Sequence, residues 1–192
     1  DQDGASELIL ARDDGYIMAW DSQAQTVNGF PINLEQSIGP LAAGFFGADQ
    51  NPGLVALGHS TLFTIDNSAG DRYDIRLRYE LPKDEATTFD SNRPNGPIIA
   101  DLNQDGAEEI LFVDASGISQ HFNPQTETLS RRSLNTRADF GAGSPLALEG
   151  DELFGIQGQS SLGDLDRDGK LDLIHPASTR AFAHRIFEGP LI

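Results

Sequence analysis

Short apolar runs separated by turn residues occupy most of the chain. Residues 7–12 and 16–21 are two such runs, and Asp13-Asp14-Gly15 between them has the composition of a hairpin turn. No segment of ten or more residues has a convincing helical period. The pattern therefore predicts an all-β protein. Further strands are predicted at 54–59, 61–66, 74–81, 98–102, 110–114, 118–122 and 128–134.

Internal repeats organise these strands. Two nine-residue stretches, 101–109 and 164–172, are nearly alike and start 63 residues apart. Residues 1–27 align without a gap with residues 103–129, so the chain begins inside a third, truncated copy. Three or four strands in each unit of about 50 residues are typical of a β-propeller blade. The sequence thus predicts one partial β-propeller of about three to four blades over 1–192, with approximate units 1–38, 39–95, 96–143 and 144–192.

Two parts of the chain depart from the repeat. The second unit starts like the third, but residues 44–52 replace its acidic stretch, and residues 135–163 fit worst, so the unit boundary there stays open. A few blades alone leave two open sheet edges. We therefore expect a longer parent protein whose further blades or domains continue the propeller, or blades that come from another chain.

The acidic stretches have the spacing of a cation-binding loop. Oxygen-bearing side chains stand at positions 1, 3, 5 and 9, and glycine stands at position 6. Ca²⁺ takes about six to eight oxygen ligands, whereas Mg²⁺ keeps water and demands octahedral geometry, so Ca²⁺ is the predicted cofactor. The predicted ligands are the side chains of Asp101, Asn103, Asp105 and Glu109 with the carbonyl of Ala107; those of Asp164, Asp166, Asp168 and Asp172 with the carbonyl of Lys170; and a partial set at Asp1, Asp3, Ala5 and Glu7.

Two alternatives to this cation site fit the sequence less well. An EF-hand needs a glutamate at position 12 and flanking helices. Position 12 is Phe112 in one loop and His175 in the other, and both lie in strand-like runs. A solvated Asp/Gly turn without metal is the other alternative, and the recurrence of the loop in register with the strands disfavours it.

The loops, Asp-x-[Asp/Asn]-x-Asp-Gly-x-x-[Asp/Glu] leading into a strand, resemble FG-GAP/VCBS repeats. These are the calcium-binding blades of integrin-α-type propellers and of many secreted bacterial proteins. Residues 14–21, followed by Gly29-Phe30-Pro31-Ile32, are similar to blade hairpins of bacterial members. The resemblance implies a β-propeller with bound Ca²⁺ in a secreted, cell-surface or periplasmic protein. It does not fix a function, because function varies widely among members.

The net charge of the chain limits the classes of partner that it can bind. It has 30 acidic and 13 basic residues, a net charge of −17, which disfavours nucleic acid and anionic membranes. No apolar run approaches the roughly 20 residues that span a bilayer. The absence of cysteine excludes disulfides and thiolate nucleophiles.

No catalytic motif was found in the sequence. None of the four histidines, His59, His121, His175 and His184, lies in a metalloprotease motif, and no nucleophile elbow or phosphate loop occurs. We expect His121 and His184 to be partly exposed strand residues, and Trp20 to be a core aromatic. The sequence favours a non-catalytic module that meets a protein or glycan at one rim of the propeller, for adhesion or recognition, or a scaffold. The alternative is the propeller of a secreted polysaccharide lyase or hydrolase, with His or Tyr beside Arg or Lys in a central cleft.

Overall fold

The described part of the chain consists of antiparallel sheets. The computed structural model describes residues 4–46, 51–67, 72–82, 96–113, 118–133, 160–165, 167, 169–176 and 181–185. No helix occurs among these residues, so none of them forms a helix that could cross a membrane. The prediction of an all-β protein is confirmed.

Four sheets follow one another along the chain, and we name them I to IV in that order. In each sheet, strands that are consecutive in the chain are neighbours in the sheet. The strands are β1 (Leu8–Ala11), β2 (Tyr16–Trp20) and β3 (Ile32–Asn33) in sheet I; β4 (Ala42–Phe46), β5 (Asn51–Leu57), β6 (Thr61–Asp66) and β7 (Asp74–Glu80) in sheet II; β8 (Ile98–Ala100), β9 (Glu109–Val113), β10 (Ile118–Asn123) and β11 (Thr128–Ser133) in sheet III; and β12 (Ser161–Gly163), β13 (Asp172–Pro176) and β14 (Ala181–Arg185) in sheet IV.

The hairpin between β1 and β2 has the predicted turn. The backbone N–H of Gly15 donates to the carbonyl of Arg12 at 3.0 Å, and Gly15 has a φ of 91°. A Cβ atom at this position would lie 2.3 Å from the carbonyl oxygen of Gln36. Both the conformation and the close approach of the backbone therefore require glycine here.

Sheet II is buried on both faces because its side chains alternate between two neighbours. Leu54 and Phe63 pack with Ile17 of sheet I in one apolar cluster. Val55 and Leu62 lie on the other face and belong to a cluster shared with sheet III. This two-sided burial explains why the central strands of sheet II read as nearly continuous apolar runs rather than as alternating ones.

Sheet III repeats this arrangement with its own neighbours. Ile110, Phe112 and Phe122 face sheet II, whereas Leu111 packs in a third cluster with Leu173 of sheet IV. The hydrophobic core is therefore divided into three layers, each between two consecutive sheets. The layers leave the outer faces of sheets I and IV without a neighbouring sheet among the described residues.

Strand β4 was not predicted. The first strand that the sequence predicts in the second unit starts at residue 54, but β4 spans Ala42–Phe46 and β5 begins at Asn51. Small residues with little strand preference hid this strand. Gly44 allows a close approach between sheets, since a Cβ atom there would lie 2.6 Å from the side chain of Ile99.

Two side-chain expectations were wrong. Trp20 is only half-buried, because it pairs with Leu8 on the outer face of sheet I, opposite the core cluster. His121 is buried, with 6% of its surface exposed, and its Nε2 atom lies 3.3 Å from the hydroxyl of Ser119. The reason is the same in both cases: the sequence gives the alternation of a strand but not which of its faces a neighbouring sheet covers.

Candidate metal centre

The first acidic loop, residues 101–109, joins β8 to β9 and is wrapped around its own carboxylates. The Asp101 carboxylate accepts hydrogen bonds from the backbone N–H groups of Asp105 at 3.1 Å and Gly106 at 2.9 Å. Asp105 in turn accepts one from the backbone of Ala107 at 2.8 Å. The reversal of the chain is made by Gln104 and Gly106, which have φ angles of 62° and 89°.

Glu109 closes this loop from the first residue of β9. Only 2% of its surface is exposed. Its Oε2 atom accepts from the backbone N–H of Leu102 at 2.9 Å. Its Oε1 atom accepts from the side-chain amides of Asn103 at 3.0 Å and Asn123 at 3.3 Å. Glu109 is thus the buried carboxylate on which the whole turn converges.

Burial raises the pKa of Glu109 above its ordinary value, and the negative charges of Asp105 and Asp101 raise it further. Hydrogen bonds from the backbone of Leu102 and Asn103 lower the pKa of Glu109, but by less than burial and the two charges raise it. Within the described residues, no Lys, Arg or His forms an ion pair with these three carboxylates. The loop therefore gathers negative charge that the described protein groups do not neutralise.

The second acidic loop, between β12 and β13, has the same local structure where both are described. The backbone N–H of Gly169 donates to Asp164 at 3.0 Å, and that of Leu165 donates to Asp172 at 3.0 Å. Arg167 and Gly169 have φ angles of 61° and 85°, which match the two left-handed positions of the first loop. Two of its predicted ligands, Asp166 and Asp168, lie outside the described residues.

The two loops are neighbours in space. The side-chain amide of Gln104 in the first loop donates a hydrogen bond to the backbone carbonyl of Gly169 in the second, at 2.8 Å. One rim of the stacked sheets therefore carries both loops.

The truncated third copy of the loop, residues 1–7, is described from residue 4 onward. Gly4 has a φ of 84°, close to that of Gly106. Glu7 stands where Glu109 stands in the repeat, and its buried Oε1 atom has no hydrogen-bond partner within the described part of the chain. Asp1 and Asp3 lie outside the described residues, whereas Ala5 is described and is exposed.

The donor set of the first loop fits a hard cation. Each carboxylate has about four lone-pair sites, so one or two backbone N–H bonds leave acceptor capacity for an ion. Carboxylate, amide and carbonyl oxygens are the ligands that Ca²⁺ prefers. Among the described residues, no group of three or more His, Cys, Asp or Glu side chains has the arrangement of a metal-binding cluster. Ligation would thus require these side chains to exchange some of their present hydrogen bonds for the ion.

Sequence reasoning missed one member of this site. Asn123, at the end of β10, donates to Glu109 and also accepts from the backbone N–H of Gln125 at 2.9 Å. The alignment of the repeats places Asp21 on this position, and Asp21 likewise accepts from the backbone of Gln23 and Gln25 at 2.8 Å. The recurrence of a side-chain acceptor after the second strand was the available signal.

A separate cleft of about 220 Å³ opens between sheets I and II. It is mainly apolar, and Glu7 and Tyr73 contribute its polar groups. The pKa of Tyr73 is raised by burial and by the negative charges of Glu7 and Asp66. Its hydroxyl is therefore held protonated, which does not suit a general base. The polysaccharide-active enzyme stays a prediction that no described contact favours.

Comparison with known proteins bears on the fold. A solved chain that is similar to this one is BBS1N, in a crystal structure of its complex with ARL6DN that was soaked with lead. The two superpose with a TM-score of 0.53 at 16% sequence identity, over 94% of this chain and 53% of that chain. BBS1N is a β-propeller. The chain has a β-propeller-like fold. It spans about half the length of the solved chain it matches, and at this identity the likeness shows the fold alone. No family model and no curated protein matches the sequence.

Proposed function

We propose that the chain is a non-catalytic, calcium-binding β-propeller module of a secreted or cell-surface protein. The observation that supports this most is the shared structure of two acidic loops at one rim. In the first loop, three carboxylates gather without a cationic partner among the described residues. Calcium would be held by Asp101, Asn103, Asp105 and Glu109 with the carbonyl of Ala107, and by Asp164, Asp166, Asp168 and Asp172 with the carbonyl of Lys170.

The role of the ion in this proposal is structural. Carboxylates gathered within nine residues repel one another, and a divalent cation between them removes the repulsion. Each ion would also fix the turn between two strands of one sheet, since its ligands come from both ends of the loop. We place the module in an extracellular, cell-surface or periplasmic location, where calcium-binding modules have dissociation constants of about 10⁻⁴ to 10⁻³ M.

The rim that carries the loops is the surface we assign to partner binding. A side-chain hydrogen bond from Gln104 joins the first loop to the second. The two ions would therefore fix two neighbouring loops of the same rim. A rim held in one conformation can bind a protein or a glycan at a lower entropic cost than a mobile one. The module would thus act in recognition or adhesion, or as a scaffold between other domains.

Calorimetry tests the proposal directly. After removal of divalent ions, titration with Ca²⁺ should give saturable binding of at least two ions per chain, and thermal unfolding should shift to a higher temperature. Mg²⁺ at the same concentration should give a smaller shift. Saturable heat that is equal for both ions, or no shift with either, would overturn the proposal.

Two substitutions assign the ions to their loops. Asp105→Asn should remove one bound ion and Asp172→Asn another, whereas Asp13→Asn, in the exposed β1–β2 turn, should leave the stoichiometry unchanged. An unchanged stoichiometry in both loop variants would show that calcium binds elsewhere.

A further inference from the structure

Each acidic loop ends on a buried carboxylate that is also the first residue of the next strand, β9 or β13. We call these two residues, Glu109 and Asp172, the closing carboxylates. Glu109 accepts a hydrogen bond from the backbone N–H of Leu102 at 2.9 Å. Asp172 accepts one from the backbone N–H of Leu165 at 3.0 Å. Because both leucines stand at position 2 of their loops, the closing carboxylates are equivalent acceptors.

Each closing carboxylate lies between two neighbouring strands, and its neighbour on the preceding strand is uncharged in both sheets. Glu109 pairs with Ala100 of β8. Asp172 pairs with Gly163 of β12. The preceding strand therefore brings no charge to this position of either loop.

The neighbour on the following strand differs between the two sheets. The antiparallel register of β9 and β10, continued by one residue, places Asn123 opposite Glu109. The hydrogen bond of 3.3 Å from the Asn123 amide to Glu109 agrees with this placement. In sheet IV, Asp172 pairs with Arg185. The residue opposite the closing carboxylate is therefore neutral in the first loop and positively charged in the second.

The two loops also differ at position 3. Asn103 in the first loop corresponds to Asp166 in the second. The predicted ligands of the first loop thus include three carboxylates, and those of the second include four. The single positive charge of Arg185 belongs to the loop that has the additional carboxylate. Counted together with the residue opposite the closing carboxylate, the two ligand sets therefore have the same net charge.

We propose that the residue opposite the closing carboxylate sets how strongly each loop binds calcium. Arg185 is the built-in counter-charge of the second loop. Opposite charges that pair across two strands attract each other, so it stabilises the ion-free loop. The same charge repels an entering divalent cation and weakens its binding. Asn123 has no charge, so neutralisation of the first loop is left to the ion. The inference rests on the proposed function, because it concerns the affinity of the same two sites.

Calorimetric titration with Ca²⁺ tests the second loop by itself when the first loop is blocked by Asp105→Asn. Adding Arg185→Asn should lower the dissociation constant about tenfold, because a positive charge beside the divalent ion is removed. Arg185→Lys should keep the affinity, since it retains the charge. Arg76→Asn is the matched control and should leave the dissociation constant unchanged. Arg76 also lies on a strand beside a carboxylate, Asp66 at 3.4 Å, but it belongs to sheet II, whose unit lacks the acidic stretch.

The reverse change tests the first loop, with the second loop blocked by Asp172→Asn. Asn123 also accepts hydrogen bonds from the backbone N–H groups of Gln125 at 2.9 Å and Thr126 at 3.1 Å, and any substitution disturbs this turn. Asn123→Gln is therefore the reference, because it alters the turn without adding a charge. Asn123→Arg should bind calcium about tenfold more weakly than Asn123→Gln.

A second measurement needs no calcium. With a chelator present, Arg185→Asn should lower the midpoint of thermal unfolding, whereas Asn123→Arg should raise it relative to Asn123→Gln. An increase in salt from about 0.1 M to about 1 M should reduce both differences, because they are electrostatic. Circular dichroism below the transition checks that each variant is folded. If Arg185→Asn fails to fold, the comparison of the two Asn123 variants decides the question.

The outcomes distinguish this inference from the proposed function. If the second loop binds calcium but Arg185→Asn and Arg185→Lys give the same dissociation constant, Arg185 is not a counter-charge, and the calcium site stands. Equal binding by Asn123→Arg and Asn123→Gln would likewise overturn the role of this position. If the natural chain shows no saturable calcium binding, both the inference and the proposed function are wrong.

Discussion

The side-chain amide of Asn103 donates a hydrogen bond to the carboxylate of Glu109 at 3.0 Å. The same nitrogen atom donates to Asp105 Oδ2, also at 3.0 Å. The partial positive charge of one amide group therefore lies between two carboxylates. In the proposed calcium-bound loop, the ion would take over this role, and Asn103 would contribute its oxygen atom instead.

Asn103→Asp should make the fold more dependent on calcium. The variant loses the amide that bridges Asp105 and Glu109 and adds a negative charge beside the three carboxylates of Asp101, Asp105 and Glu109. In the presence of a chelator, we expect the free energy of unfolding to fall by about 1–3 kcal/mol. With saturating Ca²⁺ the loss should be smaller, because the added oxygen is a ligand. Urea unfolding with and without Ca²⁺ measures both values, and equal losses in the two conditions would contradict the proposed ligand role.

Glu109→Gln should abolish the calcium response of the first loop. A ligand that binds only the native state stabilises it by RT ln(1 + [L]/Kd), or about 2.7 kcal/mol at a ligand concentration of 100 Kd. The variant should lose this increment for one ion and keep that of the second loop. Differential scanning calorimetry checks this, with Glu127→Gln, an exposed carboxylate in the β10–β11 turn, as the control. A full calcium response in Glu109→Gln would remove Glu109 from the ligand set.

The raised pKa of Glu109 gives a pH dependence of known sign. The folded state holds the proton more tightly than the unfolded state, whose pKa is near the ordinary value of 4.5. The stabilisation is fully present below that value and is lost as the pH rises through the folded pKa. Without calcium, the free energy of unfolding of the natural chain minus that of Glu109→Gln should therefore fall as the pH rises above about 4.5. Saturating Ca²⁺ should oppose this fall, because the ion binds the ionised form. Denaturant unfolding across this range measures the difference, and a rise without calcium would contradict the assignment.

Gly106→Ala and Gly169→Ala should destabilise the chain by similar amounts. Both glycines have positive φ angles, and no atom of the described residues lies within 4 Å of a Cβ at either position, so we expect the cost to come from the backbone. We expect about 1–2 kcal/mol for each in chemical denaturation. Gly163→Ala is the control, because Gly163 is equally open and does not have a positive φ. If all three variants were equally stable, the left-handed turns would not be formed in solution.

Much of the fold could be predicted from the sequence because strand patterns and turn residues are local signals. The β1–β2 hairpin follows from alternation and from Gly15, and strand β6 from an apolar run with the observed bounds of 61–66. Strand β4 was not predicted, because its small residues show little strand preference by themselves. Their role is to let another sheet approach, as Gly44 does for Ile99. The outward position of Trp20 was missed for a related reason: burial of a strand face depends on a neighbouring sheet, which the residues of the strand do not encode.

The candidate site could be predicted where spacing determines it. The positive φ angles of Gly106 and Gly169 follow from the glycine at position 6 of the shared nine-residue pattern. The left-handed conformations of Gln104 and Arg167 and the hydrogen bonds that Asp101 and Asp164 accept were not predicted. Asn123 was missed because it approaches Glu109 from the adjacent strand β10, and such a contact depends on strand register. The bound ion itself stays a prediction.

The hydrogen bond from Gln104 to the carbonyl of Gly169 links turns that belong to different sheets. Any ion that reshapes one turn would alter its neighbour through this bond, and such coupling acts equally in both directions. Two sites joined in this way would not fill independently of each other. The rim would then respond to its surroundings as a unit, which is a property that neither turn possesses by itself.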